Sequence, residues 1–344
     1  MLKIFLTGAA GLIGGEVAAR LLAQGHSVTA MVHNNRDIRA NDGSEVQPDE
    51  VVTGDVSKPL FGWDKSEWDR LTGGHDLLIH CAATVRFDLD EETYRAVNTG
   101  GAANALEFAR SGEMPILHVS TAYVCGTRDG RILEEDRVPD RGFANGYEAS
   151  KASAEKLVRA SGVPFAIARP SIVVGESGTG RIRQFDTTYA AFKLIAEGRV
   201  RHMPARSGAT LDFVPLDHVA AGITALAGNM RRAQGGAYHL VSGTPIPVQA
   251  FTDGIAAFPQ FHRPQLVEPD DFDPSVLPPL ERRLYKRVAG LYASYFQRNP
   301  QFDDRAAQEM TGLVCPATGP EYLHQLIQYC VDVGFLAGAE IAAE

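Results

Sequence analysis

The run Tyr147-Glu148-Ala149-Ser150-Lys151 sets a phenol and an ammonium four residues apart. On a helix that step puts both on one face within mutual reach. A tyrosine alone titrates at about pH 10, and a lysine beside it favours the phenolate, bringing a proton donor and acceptor closer to working pH. The chemistry this suits is reversible proton transfer to a carbonyl oxygen. The same spacing also arises where a Tyr and a Lys merely face water, so its meaning depends on its surroundings. Two residues could join it. Thr121 follows the apolar run Ile116 to Ser120 and can offer a hydroxyl to a substrate oxygen. Asn98, inside a long helical pattern, can hold a water or tie the lysine into a proton path.

Such a group needs a cofactor and a frame to position it. From Leu2 to Leu6 the chain is apolar apart from Lys3, followed by Thr7-Gly8-Ala9-Ala10-Gly11-Leu12-Ile13-Gly14 and then by Ile13, Val17 and Leu21 at helical spacing. The pattern predicts a strand, a glycine turn and a helix closed by Gly25, with Ser27 to Val32 as the next strand. In that context the turn is a dinucleotide site. Its glycines allow close approach of backbone to a pyrophosphate, and the helix start offers unpaired N–H groups and a positive dipole end.

The alternation continues through Val51-Val52, Leu77 to His80, a helix pattern over Glu91 to Ala109, the strand Ile116 to Ser120, a helix from Tyr147 to Gly162, and Phe165 to Arg169 before Pro170. Strands alternating with helices imply an α/β, doubly wound parallel Rossmann sheet, whose ligands bind at the carboxyl ends of the strands. Gly8, Asp55, Ala82 and Thr121 would all stand there. Residues 1–175, continued by 211–241, are expected to form the dinucleotide-binding domain. The segments 176–210 and 242–344 are expected to form a smaller substrate-binding lobe. Within the second segment, Pro245 to Pro279 holds eight prolines and predicts irregular structure, whereas Glu281 to Gln297 reads as an amphipathic helix with Leu284, Val288, Leu291 and Tyr295 on its apolar face. The stretch Leu211 to Leu216 and the stretch Tyr238 to Val241 read as strands around a helix from His218 to Ala227.

The totals narrow the function class. The 344 residues can bury a sizeable core, and 44% apolar with 22% charged residues is ordinary for a folded globular chain. A net charge of -9 gives no general attraction to nucleic acid or anionic lipid. The cysteines at 81, 125, 315 and 330 suggest neither a zinc site nor a disulfide framework, so a reducing compartment is expected and no metal. No apolar run approaches the ~18 residues of a membrane span, and the first strand begins almost at Met1, which leads us to expect a cytoplasmic protein without an integral membrane segment.

The order TGAAGLIG at 7 to 14, GDV at 54 to 56, HCAA at 80 to 83, Val97-Asn98, VSTAYVCG at 119 to 126, YEASK at 147 to 151 and RPSIVVGES at 169 to 177 resembles the extended short-chain dehydrogenase/reductase superfamily over about two thirds of the chain. The resemblance implies that Tyr147 is the general acid/base and that Lys151 lowers its pKa and bonds the nicotinamide ribose. Thr121 would orient the reacting oxygen, with Ser120 as the alternative, since sliding the motif by one residue swaps them. Asn98 would complete a tetrad. Asp55 and Val56 would contact the adenine, and the turn residues Thr7, Gly8, Gly11, Leu12, Ile13 and Gly14 would bind the cofactor together with Ala82, Ala83, Pro170 and Ile172. The runs at 55 to 62, 80 to 87, 119 to 124, 175 to 180 and 212 to 217 are similar to the thioester reductase and fatty acyl-CoA reductase branch. That implies hydride transfer to an acyl thioester carried by coenzyme A or an acyl carrier protein. Homodimers through the helices that carry Asn98 and Tyr147 are common in the same superfamily.

Val32-His33-Asn34-Asn35-Arg36 follows the second strand with no acid before Asp37, which favours NADP(H) over NAD(H), with Asn34 and Arg36 as candidate contacts. Arg36 reads equally well as a solvated loop residue. Cys125 lacks an evident base and is expected to pack, and His80 and His118 near strand ends are expected to be structural. Arg282, Arg283, Lys286 and Arg287 make a basic cluster that could meet coenzyme A phosphates, a carrier protein or a membrane surface, but such a face is more often simply solvated. The reading is an NADP(H)-dependent reductase of an acyl thioester or aldehyde. The alternatives are an alcohol/ketone oxidoreductase similar to the 3β-hydroxysteroid dehydrogenase or dihydroflavonol reductase groups, and a non-catalytic NAD(P)-binding regulator.

Overall fold

Strand β1 (Lys3–Thr7) shows why the sheet is buried on both faces. Ile4 and Leu6 point into one apolar cluster and Phe5 into another, and all three are fully buried. The structure, a computed structural model, describes residues 1–336. β1 lies inside a seven-stranded sheet with β2 (Ser27–Val32), β3 (Glu50–Thr53), β4 (Leu77–His80), β5 (Ile116–Val119), β6 (Phe165–Pro170) and β7 (Ala237–Leu240), in the order β7-β6-β5-β4-β1-β2-β3. All six pairings are parallel. The strand order reverses between β1 and β4, which opens a crevice at their carboxyl ends.

Helices cover both faces. On one, α1 (Leu12–Ala23) packs its Val17 and Leu21 with Val219 and Ile223 of the helix Leu216–Gly228. On the other, α2 (Gly146–Ala160) sends Val158 into the cluster that holds Ala105 and Phe108 of the Asn98 helix. That second helix is one continuous path with a defect. It starts as Glu91–Tyr94, widens to a π-turn over Arg95–Gly100 and resumes as Gly101–Ser111. Such widened turns concentrate at functional sites because they displace a side chain from ordinary helical register.

The remaining chain builds a third apolar cluster, with Ile195, Met203, Phe213, Phe251, Ile255, Tyr292, Leu323 and Ile327 among its buried members. Three expectations change here. Residues 245–279 are not irregular throughout, since Val248–Ala256 is a helix whose flanking prolines, Pro247 at the cap and Pro259 beyond the end, sit where a missing N–H costs nothing. The stretch Leu211 to Leu216 is not one strand. It breaks at buried Asp212, which accepts from Ser171 Oγ at 2.5 Å and Ser242 N at 2.9 Å. Thr210–Leu211 therefore pairs with Ile246–Pro247, and Phe213–Pro215 with Ile172–Val174. The amphipathic helix of Glu281 to Gln297 is present as successive turns, Pro279–Leu284, a π-turn at Tyr285–Ala289, Gly290–Tyr292 and a final tight turn at Ala293–Gln297. The last residues of the expected lobe, 337–344, lie outside the described residues.

Candidate active site

The glycine turn has the shape its composition demands. Gly8 has φ +74°, and a Cβ there would stand 2.6 Å from the backbone nitrogen of Ala82, while a Cβ on Gly14 would stand 2.2 Å from the Gly8 carbonyl oxygen. Only bare backbone fits. α1 begins at Gly11 with no side-chain cap and no acid in its first turn, so its first N–H groups are free to meet an anion. These features fit a dinucleotide pyrophosphate. Thr7, by contrast, is spent inside the sheet: its Oγ1 lies 2.8 Å from His80 Nδ1 and accepts from Ala82 N at 3.3 Å. Asp55 accepts from the N–H and hydroxyl of Ser57 at 3.0 and 2.6 Å, and the Val56 carbonyl accepts from Asn104. Asn34 is exposed beyond β2, and Arg36 folds onto β3, donating to Thr53 Oγ1 at 3.0 Å and the Val51 carbonyl at 3.4 Å.

From this turn a cavity of ≈ 350 Å³ runs into the third cluster. Of the site residues singled out in the sequence, Gly8, Gly11, Leu12, Ile13, Gly14, Ala83, Ser120, Thr121, Tyr147, Pro170 and Ile172 line it. Lys151 and Asn98 do not. They are 3% and 2% exposed and support the wall from behind. Lys151 Nζ donates to the Val119 carbonyl at 2.6 Å. Asn98 donates to the Thr84 carbonyl at 3.1 Å and to Ser150 Oγ at 2.9 Å, and accepts from Thr84 N at 2.8 Å, so it ties the loop after β4 to α2 rather than to the lysine. Ser120 donates to buried Glu155 at 3.1 Å. The Thr121 hydroxyl donates to the Pro170 carbonyl at 3.2 Å.

The electrostatics differ from the simple expectation for a Tyr/Lys pair. Burial pushes the Tyr147 phenol well above the usual tyrosine range; the Thr121 hydroxyl opposes this, and the carboxylates of Glu148 and Asp186 add to it. Burial pulls the Lys151 ammonium down to about 8. The ammonium is turned toward the sheet carbonyl, which is why the phenol is not lowered here. Asp186 lines the cavity too, and burial raises its carboxyl to about 6. His80 is pulled down to about 3, again by burial, and stacks on His118 at 5.5 Å, in keeping with structural roles. Cys125 is buried and donates to the Gly126 carbonyl, with burial raising its thiol to about 11. It packs. Arg283, Lys286 and Arg287 are exposed, and Arg282 donates to the Ser275 carbonyl. Among the described residues no cluster of His, Cys, Asp and Glu could hold a metal ion, and no helix is long and apolar enough to cross a membrane.

Pattern reading missed the aromatic roof. Phe87 stacks on Tyr147 at 5.5 Å between centroids and on Tyr295 at 5.9 Å, and meets Tyr292 at 4.9 Å. Arg298 lies over the rings of Tyr123 and Tyr295, at 4.7 and 4.4 Å, and pairs with Glu148 at 2.5 Å, with side chains 4% and 0% exposed. Glu148, next to the phenol, thus anchors the late chain to α2.

Strand order, glycine turn and the phenol at the crevice define an NAD(P)-binding chain of the extended short-chain dehydrogenase/reductase type. Residues 6–223 match the model of the male sterility protein family, and the chain belongs to that family of NAD(P)-dependent oxidoreductases. The terminal R domain from the myxalamid PKS-NRPS biosynthetic pathway superposes with a TM-score of 0.81 at 25% identity, over 98% of this chain and 93% of that one. The carboxylic acid reductase of Segniliparus rugosus is 28% identical over 268 residues, which are 65% of this chain and 23% of that protein. The aldehyde reductase lnaA of Aspergillus flavus is 25% identical over 269 residues, 70% of this chain and 25% of that protein. The chain spans a quarter or less of the length of these two curated relatives.

Proposed function

We propose that this chain reduces an acyl thioester to an aldehyde or alcohol, with NADP(H) in preference to NAD(H) and with Thr121, Tyr147, Lys151 and Asn98 as the reacting group. One observation carries the reading: Thr121 and Tyr147 share the wall of a single cavity that starts at the glycine turn and ends among Phe192, Phe213, Phe251, Leu323 and Ile327. A dinucleotide whose pyrophosphate lies on the turn would extend its nicotinamide into the cavity, and a long apolar acyl chain held by the far end would place its carbonyl beside it. Residues 1–175 with 211–241 then serve as the dinucleotide-binding domain, and 176–210 with 242–344 as the substrate lobe. Asn34 and Arg36 are the proposed contacts beside the adenosine, with Asp55 and Val56 at the adenine.

When bound, the reduced nicotinamide supplies a hydride to the carbonyl carbon. The chain's own residues do the rest. Thr121 orients the carbonyl oxygen, and Tyr147 delivers its proton as negative charge develops there. The resulting hemithioacetal then returns its hydroxyl proton to Tyr147 as its carbon–sulfur bond breaks, giving an aldehyde and a thiolate that takes up a proton to become the thiol. Lys151 braces the wall behind the phenol through the Val119 carbonyl, and a bond from its ammonium to the nicotinamide ribose is part of the proposal. A relative that is a carboxylic acid reductase and another that is the terminal R domain of a PKS-NRPS pathway support a substrate at the carboxyl oxidation level, and the proposal takes it as a thioester on a carrier protein or on coenzyme A. A second reading, reduction of a free aldehyde or ketone, is favoured by the likeness to an aldehyde reductase. Incubation with NADPH and a long-chain acyl-CoA, with free thiol as the readout, separates them: NADPH oxidation of an aldehyde without any thiol release from the thioester sinks the first.

A further inference from the structure

Arg183 stands outside the central sheet, after the strand Ile172–Val174, yet its Nη2 reaches back to the carbonyl oxygen of Gly11 at 3.4 Å, where α1 opens. Its place is fixed through main chain. Asn41 accepts from the Arg183 N–H at 3.0 Å and donates to the Arg181 carbonyl at 2.9 Å, while its own N–H goes to Glu16 of α1 at 3.0 Å. The segment that carries Arg183 is therefore stitched to the glycine-turn helix. Arg181 pairs with Glu176 and Arg39 with Asp37, but Arg183 makes no ion pair among the described residues, and its Nε is buried without a hydrogen-bond partner. Burial disfavours its charge, Asp37 supports it and Arg39 opposes it, which places it between Gly11 and the loop after β2. A part-buried cation without an anion is costly, and beside it lies a helix start with free N–H groups and no acid.

We propose that Arg183 binds a phosphate of the dinucleotide, closing the segment 176–183 over the cofactor from the substrate side. The inference rests on the dinucleotide reading and is independent of the thioester. Two phosphoryl groups share this chemistry: the pyrophosphate, at the Gly11 side, and the 2′-phosphate of NADP(H), toward Asp37 and Arg39.

The test is titration of the full chain with NADPH and NADH, followed by nicotinamide fluorescence, for wild type, R183Q and R183K. R183Q should weaken NADPH binding about tenfold or more, as loss of a charged hydrogen bond does, and R183K should recover most of it. The melting temperature of the unliganded protein should hold, since the Asn41 bond is to main chain. An equal loss for NADH assigns the pyrophosphate, and a loss confined to NADPH assigns the 2′-phosphate. Unchanged affinity for both in R183Q overturns the role of Arg183 and leaves the cofactor reading intact; wild type that binds neither overturns both. Should R183Q fail to fold, phenylglyoxal labelling of wild type decides. Arg183 labelling must fall when NADPH is bound, and equal labelling with and without NADPH refutes the proposal.

Discussion

Replacing Lys151 with Met should make the protein more stable at neutral pH while abolishing its chemistry. Lys151 is almost fully buried, and burial pulls its ammonium from the ordinary 10.5 to about 8, with Cys81 and Glu155 opposing the fall. At about 1.36 kcal/mol for each tenfold change in proton affinity, holding that charge inside costs about 3 kcal/mol at pH 7. K151M removes this cost but leaves the Val119 carbonyl, now bonded at 2.6 Å, without its donor, a loss of about 1 kcal/mol. The expected net gain is about 2 kcal/mol. The sign depends on pH. Because the folded pKa lies below the unfolded one, the unfolded chain binds more protons between about 8 and 10.5, so wild-type stability rises across that window. Above it the charge cost is gone, and K151M should become the less stable protein by about 1 kcal/mol. Urea unfolding of both proteins at neutral pH and near the upper end of the window measures the crossover. K151M destabilised at pH 7, or a difference that ignores pH, would refute the reasoning. A variant that gains stability as it loses turnover would mark Lys151 as a residue kept for function at a structural cost.

Other expectations follow from the same geometry. R298M leaves buried Glu148 with the Ala144 N–H as its remaining contact and should cost about 3–5 kcal/mol in denaturant unfolding, whereas the E148Q/R298M double variant should cost clearly less than the two singles together; simple additivity would sink the buried-pair account. Y147F should lower kcat by about 10²–10⁴ with NADPH affinity unchanged, and activity within twofold of wild type would remove the phenol from the mechanism. In G14A the new Cβ meets the Gly8 carbonyl oxygen at 2.2 Å, so NADPH binding by fluorescence titration should be lost, and retained affinity would show that the turn does not hold the cofactor. The plot of kcat/KM against pH should fall above about 8 as free-enzyme Lys151 loses its proton, and the limb should move to higher pH in K151R.

What the sequence determined by itself was local and periodic. The apolar run of β1, the helical spacing after Gly11, the need for bare backbone at Gly8 and Gly14 and the four-residue step from Tyr147 to Lys151 each depend on neighbours in the chain, so all were legible, and together they imply the parallel sheet and its crevice. The helix Val248–Ala256 was hidden because a count of prolines does not say that they flank an element rather than interrupt it. The loss of strand at Asp212 was hidden because its cause, bonds to Ser171 and Ser242, comes from two other segments. Only the tertiary structure decided how the site is wired. It turned Lys151 to Val119, gave Asn98 to Thr84 and Ser150, laid Phe87 over the phenol and Tyr295 against Phe87, joined Glu148 to Arg298 and brought Arg183 to Gly11. Several of these contacts join residues more than a hundred positions apart, and no periodicity records such a pairing; it exists only once the packing of the sheet and of the third apolar cluster has set the distances.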